Sequence, residues 1–178
     1  IKILPPILKN TIDKSAIAKV GTQYANPRWI TEKDDTIRYT ITYTPSIQCY
    51  IGSATVILED KLPYPLDIEK TNEEVLRFYN YDSVNPKLVW EFEFNDINSD
   101  ITYDPNGYAI RDESGVPIGE KWTTTITREI DIVYNIPKSA LAFRSGDSPI
   151  LQMENTAKGT TSIENGDSVN AEAKYTIS

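Results

Sequence analysis

The chain has 178 residues, and its 26 acidic against 18 basic side chains give a formal net charge of −8. This balance argues against nucleic acid and an anionic membrane as partners, because both bind basic surfaces. The chain contains no histidine, which excludes Ser–His and Cys–His catalysis and imidazole metal sites. With Cys49 as its single cysteine, the chain cannot form an intramolecular disulfide.

Residues 1–8, which contain the stiff run "ILPP", are predicted to be a linker, and residues 9–178 are predicted to form a single domain. No apolar run is long enough to span a bilayer, so no membrane insertion is expected in this segment. The chain starts at Ile1 without a methionine or a signal peptide, and we therefore expect it to be a fragment of a longer protein.

The dominant pattern is an alternation of apolar and polar residues with a period of two, which is typical of half-buried β-strands. It places Ile37, Tyr39, Ile41 and Tyr43 on one strand face. The same alternation recurs in segments 56–62, 88–94, 122–134, 153–157 and 169–177. The residues "ENGD" at 164–167 predict a hairpin turn. Short strands with turn-rich connections predict an all-β fold, a β-sandwich.

Helical signals are confined to two short insertions between strands. Thr71 and Glu74 in "TNEEVLRFY" form a candidate capping box at a helix start. The run "IPKSALAF", residues 136–143, is compatible with one or two helical turns. We therefore expect one or two short helices beside the strands.

Three polar residues, Lys14, Asp60 and Asn155, interrupt strand faces that are otherwise apolar. Lys14 alternates with isoleucine and alanine, Asp60 with valine and leucine, and Asn155 with methionine and alanine. Their strands come from the start, the middle and the end of the chain, and a sandwich can bring such strands together. One interpretation is that the three side chains form a buried, hydrogen-bonded salt-bridge network.

The other interpretation is a reaction between these side chains. Burial lowers the pKa of a lysine and raises that of an aspartate, which turns the amine into a neutral nucleophile. Lys14 would attack the side-chain carbonyl of Asn155 while a protonated Asp60 hydrogen-bonds that carbonyl and shuttles protons. Ammonia would leave, and the product would be an isopeptide cross-link within one chain.

Four motifs occur in a fixed order and together extend over most of the chain. They are "DKSAIAKVG" with Lys14, "KDDTIRYTITYTP", "ILEDKLP" with Asp60, and "ENTAKG" with Asn155. Together they resemble the isopeptide-forming, immunoglobulin-like domains of collagen-adhesin A type in Gram-positive fimbrial and adhesin surface proteins. The resemblance implies an immunoglobulin-like β-sandwich with insertions. It also implies that Lys14 and Asn155 form the cross-link and that Asp60 is the catalytic acid.

The same resemblance implies a structural stalk module of a secreted, cell-wall-anchored, pilin-like protein, with neighbouring domains of that protein as its partners. Cross-linking happens once per chain, so neither enzyme turnover nor a cofactor is expected. The alternative function is a ligand-binding adhesin domain that recognises a host matrix protein or glycan through the 64–121 insertion. A large exposed aromatic patch on that insertion would favour binding.

Two of these assignments have rivals in the sequence. Lys9 in "PPILKNT" is an alternative nucleophile, because lysines of the family often follow a proline by a few residues. Glu59 and Glu129 are the next candidates for the acid if Asp60 does not fill that role.

Two further site hypotheses concern loops. Asp96, Asp100 and Asp104 in "NDINSDITYDPNG" could supply oxygen ligands to calcium, but their spacing fits no EF-hand loop. An ordinary acidic surface loop is the preferred interpretation, and no metal is expected. Trp29, in the loop "NPRWIT", is the tryptophan best placed to stack on a sugar, because Trp90 and Trp122 fall on predicted core faces.

Overall fold

A computed structural model of the protein describes residues 5–20, 23–25, 36–99, 103–135 and 153–177. Over these residues the chain forms two antiparallel sheets that pack face to face, with one short helix. The all-β sandwich predicted from the alternation is therefore confirmed.

Among the described residues, the elements in chain order are β1 (Ile7–Val20), β2 (Gln23–Ala25), β3 (Thr36–Gln48), β4 (Tyr50–Lys61), α1 (Glu73–Leu76), β5 (Tyr79–Asn80), β6 (Lys87–Ser99), β7 (Trp122–Thr123), β8 (Ile126–Val133), β9 (Met153–Ile163) and β10 (Ser168–Ile177). Sheet A has the order β2-β1-β3, and both β7 and β8 pair with the free side of β3. Sheet B has the order β10-β9-β4-β6-β5.

The central strand of sheet A is β3, and its alternating sequence accounts for that position. Every second side chain from Ile37 to Ile47 is buried, and the residues between them are half-buried. β1 pairs along the whole of one side of β3. On the other side, Pro45 separates the part paired with β8 from the part paired with β7, because proline has no N–H to donate to the ladder.

The central strand of sheet B is β4, which pairs with β9 on one side and with β6 on the other. The turn predicted at 164–167 joins β9 to β10, with Gly166 at φ +92°, which glycine adopts without strain. Gly159 of β9 lies so close to the ring of Tyr43 in β3 that a Cβ atom would clash with it. A glycine at this position therefore lets β9 approach sheet A closely.

The core lies between the two sheets and is made of the inward strand faces that the alternation predicts. Its largest fully buried side chains are Tyr39, Tyr43, Tyr134, Ile37, Ile41, Ile47, Leu58, Leu88, Ile97, Ile132 and Met153. Removing such apolar area from water, at about 25 cal/mol per Å², is the main driving force for packing the sheets.

Two local predictions differ from the structure, and one cannot be compared. The N-cap of α1 is Asn72 and not Thr71, because the Asn72 side chain accepts the Glu74 backbone N–H at 2.9 Å. β1 begins at Ile7, so the first strand includes the last two residues of the predicted linker. The helical turns predicted at 136–143 lie outside the described residues.

The connection between β6 and β7 contains two tight turns that are built alike. In each, an aspartate carboxylate, from Asp104 or Asp112, accepts backbone N–H groups from the residues two and four positions further on. A glycine at φ +81°, Gly107 or Gly115, follows three residues after the aspartate. These turns form a short internal repeat that was not among the sequence predictions.

Candidate functional site

Lys14 reaches the core from sheet A because side chains alternate along β1. Its side chain points inward between those of Ile12 and Ala16, and it is 0% exposed. Its Nζ lies 4.5 Å from the centroid of the Tyr39 ring, which belongs to the neighbouring strand β3. A cation in this position is attracted to the ring face.

Asp60 and Asn155 reach the same space from sheet B. Asp60 of β4 pairs with Ala157 of β9, and Asn155 precedes Ala157 by two residues, so its side chain leaves the same face of the sheet. Both side chains are fully buried. The register between β4 and β9 therefore makes a carboxyl group and an amide diagonal neighbours in the core.

The carboxyl group of Asp60 connects the other two side chains. Lys14 Nζ lies 2.5 Å from Asp60 Oδ1, and Asn155 Nδ2 donates a hydrogen bond to Asp60 Oδ2 at 3.1 Å. The structure thus brings together the three residues that the sequence singled out, one from sheet A and two from sheet B.

Two tyrosines that were not among the predicted site residues also belong to this cluster. Asn155 Nδ2 donates to the hydroxyl of Tyr134, which follows β8 directly, at 3.3 Å. The Tyr134 hydroxyl lies 2.9 Å from that of Tyr39, and the two rings pack edge to face. The alternation places both tyrosines on core faces, but it carries no signal that their hydroxyls approach Asn155.

The carbonyl oxygen of Asn155 stands apart from the other polar atoms of the site. Asn155 Oδ1 is buried without a hydrogen-bond partner, a state that only Arg128 Nε shares within the described ranges. The sequence hypothesis had Asp60 hydrogen-bonded to this oxygen, whereas in the structure Asp60 contacts the amide nitrogen. In this arrangement the carboxyl oxygen of Asp60 that faces the amide acts as a hydrogen-bond acceptor.

Burial controls the charge state of the site. Loss of hydration lowers the pKa of Lys14, although the nearby Asp60 opposes that shift. Burial likewise raises the pKa of Asp60, against the lowering influence of Lys14 and of the Asn155 hydrogen bond. Both directions favour transfer of a proton from the amine to the carboxylate, which leaves a neutral pair. Burial also raises the pKa of Tyr39 and of Tyr134, so both hydroxyls keep their protons.

The rival residues lie away from the core. Lys9 is exposed on the opposite face of β1 from Lys14. Glu59 forms a partly exposed ion pair with Lys87 at 3.3 Å, and Glu129 forms one with Arg38 at 3.4 Å. Their positions on outward faces separate all three rivals from the buried cluster.

Of the two loop hypotheses, the calcium site gains no support from the described residues, and the sugar-stacking role of Trp29 stays a prediction. The Asp104 carboxylate already accepts two backbone N–H groups in its turn, and Asp100 and Trp29 lie outside the described residues. Asp96 sits on β6 with φ +59°. Within the ranges that the structure describes, no group of three or more acidic, histidine or cysteine side chains is arranged to hold a metal ion.

In the described part of the chain, no helix combines the length and the apolar character needed to cross a membrane. Comparison of the chain with protein-family models, with curated proteins and with solved structures finds no match in any of the three. The buried cluster is therefore the feature from which a function has to be argued.

Proposed function

We propose that this chain is a structural module of a Gram-positive cell-surface protein, and that it cross-links itself through an isopeptide bond between Lys14 and Asn155. The observation that carries the proposal is that one buried carboxyl group, that of Asp60, contacts both the amine and the amide. Most buried polar atoms in structural networks have a hydrogen-bond partner, whereas Asn155 Oδ1 has none.

The first step is a proton transfer from Lys14 Nζ to the Asp60 carboxylate, which the pKa directions of both groups favour. The amine then has a free lone pair, and the carboxyl group has gained a donor. Rotation of the carboxyl group exchanges its two oxygens. The protonated oxygen can then face the amide, while the unprotonated oxygen faces the amine and can accept a proton from it. A half-turn of the Asn155 amide brings its carbonyl oxygen to this donor.

The second step is attack of Nζ on Asn155 Cγ. The Asp60 proton passes to the carbonyl oxygen, and the attacking nitrogen gives a proton to the other carboxyl oxygen. When the intermediate collapses, the Cγ–Nδ2 bond breaks and Nδ2 takes the proton of Asp60 and leaves as ammonia. The hydroxyl proton of the intermediate returns to Asp60 as the carbonyl group reforms. Starting from the ion pair, the products are one secondary amide, one neutral carboxyl group and one ammonia, so atoms and charge balance.

The bond would join β1 in sheet A to β9 in sheet B, across residues separated by 141 positions in sequence. Force applied at the ends of the domain could then not peel the first strand from the sandwich. That property suits a stalk module outside the cell, linked to neighbouring domains of the same surface protein. The four ordered motifs that resemble collagen-adhesin A-type domains support the same proposal.

The test is the intact mass of the purified protein. The wild type should be lighter than its sequence mass by one ammonia. The Asp60→Ala variant should fold, with a β-sheet circular dichroism spectrum, and keep its full mass, because no group then moves the protons. Glu59→Ala, a change at the adjacent outward position, should still lose ammonia. A wild type with its full sequence mass would contradict the proposal, and complete ammonia loss in Asp60→Ala would exclude Asp60 as the acid.

A second candidate function, ligand binding through the 64–121 region, is favoured by the distribution of apolar surface. Nine large hydrophobic side chains are exposed in the described residues, and eight of them lie in this region: Ile68, Phe78, Tyr81, Val84, Tyr103, Tyr108, Ile110 and Ile118. Side chains of this kind would favour contact with a protein or a glycan where they form one contiguous patch.

This second function can be tested with immobilised extracellular-matrix proteins and glycans as probes. Saturable binding by the wild type that is lost when Tyr81 and Val84 are both replaced by serine would support it. An Ile51→Ser variant, changed at the exposed hydrophobic side chain outside the region, serves as the control. Absence of binding to every probe, or equal loss in the control, would contradict it.

A further inference from the structure

The amide of Asn155 has two neighbours in the core, and the proposed mechanism uses only one of them. Besides the Asp60 carboxyl group, the Tyr134 hydroxyl lies 3.3 Å from the same end of the amide. Tyr134 is fully buried and its hydroxyl touches a group whose bonds change in the reaction. It therefore meets the geometric requirement for taking part in the chemistry.

A hydroxyl is suited to both orientations of the amide. With the NH₂ end facing it, Tyr134 accepts a hydrogen bond, as in the structure. After the half-turn that brings Oδ1 to the same place, rotation of the phenolic O–H turns Tyr134 into a donor to that oxygen. Asn155 Oδ1, which is otherwise buried without a partner, then has two donors, Asp60 and Tyr134.

Tyr39 fixes the position of this second donor. Its hydroxyl lies 2.9 Å from that of Tyr134 and can donate to it while Tyr134 donates to the amide. The Tyr39 ring also lies under the Lys14 amine, at 4.5 Å from Nζ to the ring centroid. One side chain thus contacts the nucleophile through its ring and the second donor through its hydroxyl.

We propose that Tyr134 is a further catalytic residue of the cross-linking site, whose hydroxyl donates to the Asn155 carbonyl oxygen as negative charge develops there, and that Tyr39 is its positioning residue. Paired donors aimed at such an oxygen are the usual means of stabilising this kind of intermediate. The inference rests on the proposed function and adds two side chains to the three-residue site.

The experiment measures the rate of ammonia loss in freshly made chains. Each variant is produced by cell-free translation, synthesis is stopped, and the fraction of chains lacking one ammonia is followed by intact mass. Tyr134→Phe should slow the reaction by about 10²–10³-fold, the effect of removing one donor to a developing oxyanion. Tyr39→Phe should slow it less, by about tenfold, because it acts through Tyr134.

Tyr43→Phe is the matched control, because it also removes a fully buried, hydrogen-bonded hydroxyl but one that contacts Thr161 and Asn10. It should react within about twofold of the wild type. The unfolding free energy is also measured for each of the three tyrosine substitutions in the Asn155→Ala background, which cannot cross-link. This comparison shows whether a slower reaction is explained by a loss of stability.

The outcomes separate this inference from the proposed function. A wild type that never loses ammonia would overturn both. A linked wild type with Tyr134→Phe reacting at the same rate, or with Tyr43→Phe as slow as Tyr134→Phe, would overturn this inference alone. If Tyr134→Phe does not fold, equal rates for Tyr39→Phe and Tyr43→Phe would overturn it.

Discussion

The sandwich contains two buried polar clusters that connect the strands β1 and β3 of sheet A to β9 of sheet B, and they differ in kind. In the first, the neutral cluster, Asn10 Nδ2 donates to the Tyr43 hydroxyl at 2.9 Å, and that hydroxyl lies 2.6 Å from Thr161 Oγ1. The second, which contains the proposed cross-link and which we call the cross-linking cluster, consists of Lys14, Asp60, Asn155, Tyr39 and Tyr134.

The neutral cluster has short hydrogen bonds and no ionisable carboxyl or amine group, so its polar atoms can be buried at little cost. The cross-linking cluster buries an amine and an acid whose charged forms burial disfavours, beside an amide oxygen without a partner. A buried polar group therefore does not by itself indicate chemistry. The indication comes from an acid and an amine with opposite pKa shifts, where the acid contacts both the amine and one amide.

The largest expected difference between the clusters is in stability. Asn155→Ala should lower the Tm by about 10–20 °C, because it removes the proposed covalent tie across a long loop. Loop-closure entropy gives about 5 kcal/mol for such a tie, at roughly 2–4 °C per kcal/mol for a domain of this size. Differential scanning calorimetry measures the shift. A Tm change no larger than that of a neutral-cluster variant would contradict the cross-link.

A smaller effect should depend on pH. Lys14→Met removes the amine that lowers the pKa of Asp60, so the folded-state pKa of Asp60 should rise further above its ordinary value of 3.8. The folded chain then keeps a proton that the unfolded chain releases. The contribution of this proton to the unfolding free energy is therefore fully present below pH 3.8, and it is lost as the pH rises through the folded-state pKa of Asp60.

Urea denaturation at two pH values tests this sign. The unfolding free energy of Lys14→Met should be lower at pH 8 than at pH 5, because the unfolded chain releases the Asp60 proton at a lower pH than the folded chain does. The control is Lys14→Met combined with Asp60→Asn, in which this part of the pH dependence should vanish. An identical pH dependence in both variants would show that Asp60 does not titrate as described.

The smallest effect should come from the neutral cluster. Thr161→Val removes the hydroxyl group that lies 2.6 Å from the Tyr43 hydroxyl, whereas the hydrogen bond from Asn10 to Tyr43 remains. The expected loss is about 1 kcal/mol, or about 2–4 °C in Tm, with ammonia loss unchanged. Calorimetry and intact mass of the same sample check both parts. Impaired cross-linking in this variant would mean that the two clusters are not independent.

The inward strand faces and the meeting of Lys14, Asp60 and Asn155 follow from sequence because side chains alternate strictly along a strand. A lysine or an asparagine between apolar neighbours in that pattern must face the core. The order of the strands in each sheet brings such faces together, and the motifs resembling a known family suggested which three residues would meet.

Other features of the site depend on details that alternation does not carry. The approach of Tyr134 to Asn155 requires the stacking of sheet A on sheet B, which a one-dimensional pattern does not specify. The orientation of the Asn155 amide depends on which of its neighbours donate and which accept hydrogen bonds, and Asp60 Oδ2 and the Tyr134 hydroxyl both face its nitrogen. The shift of the N-cap from Thr71 to Asn72 reflects a choice between adjacent residues that both favour capping.

The most direct test of the cross-link is a proteolytic digest of the wild-type protein analysed by tandem mass spectrometry. The account predicts a branched peptide in which the segment containing Lys14 is joined to the segment containing Asn155, with one ammonia missing. A branch at Lys9 would support the same cross-linking reaction but would identify Lys9, and not Lys14, as the nucleophile. Linear peptides with Lys14 and Asn155 both unmodified in all molecules would contradict the central claim.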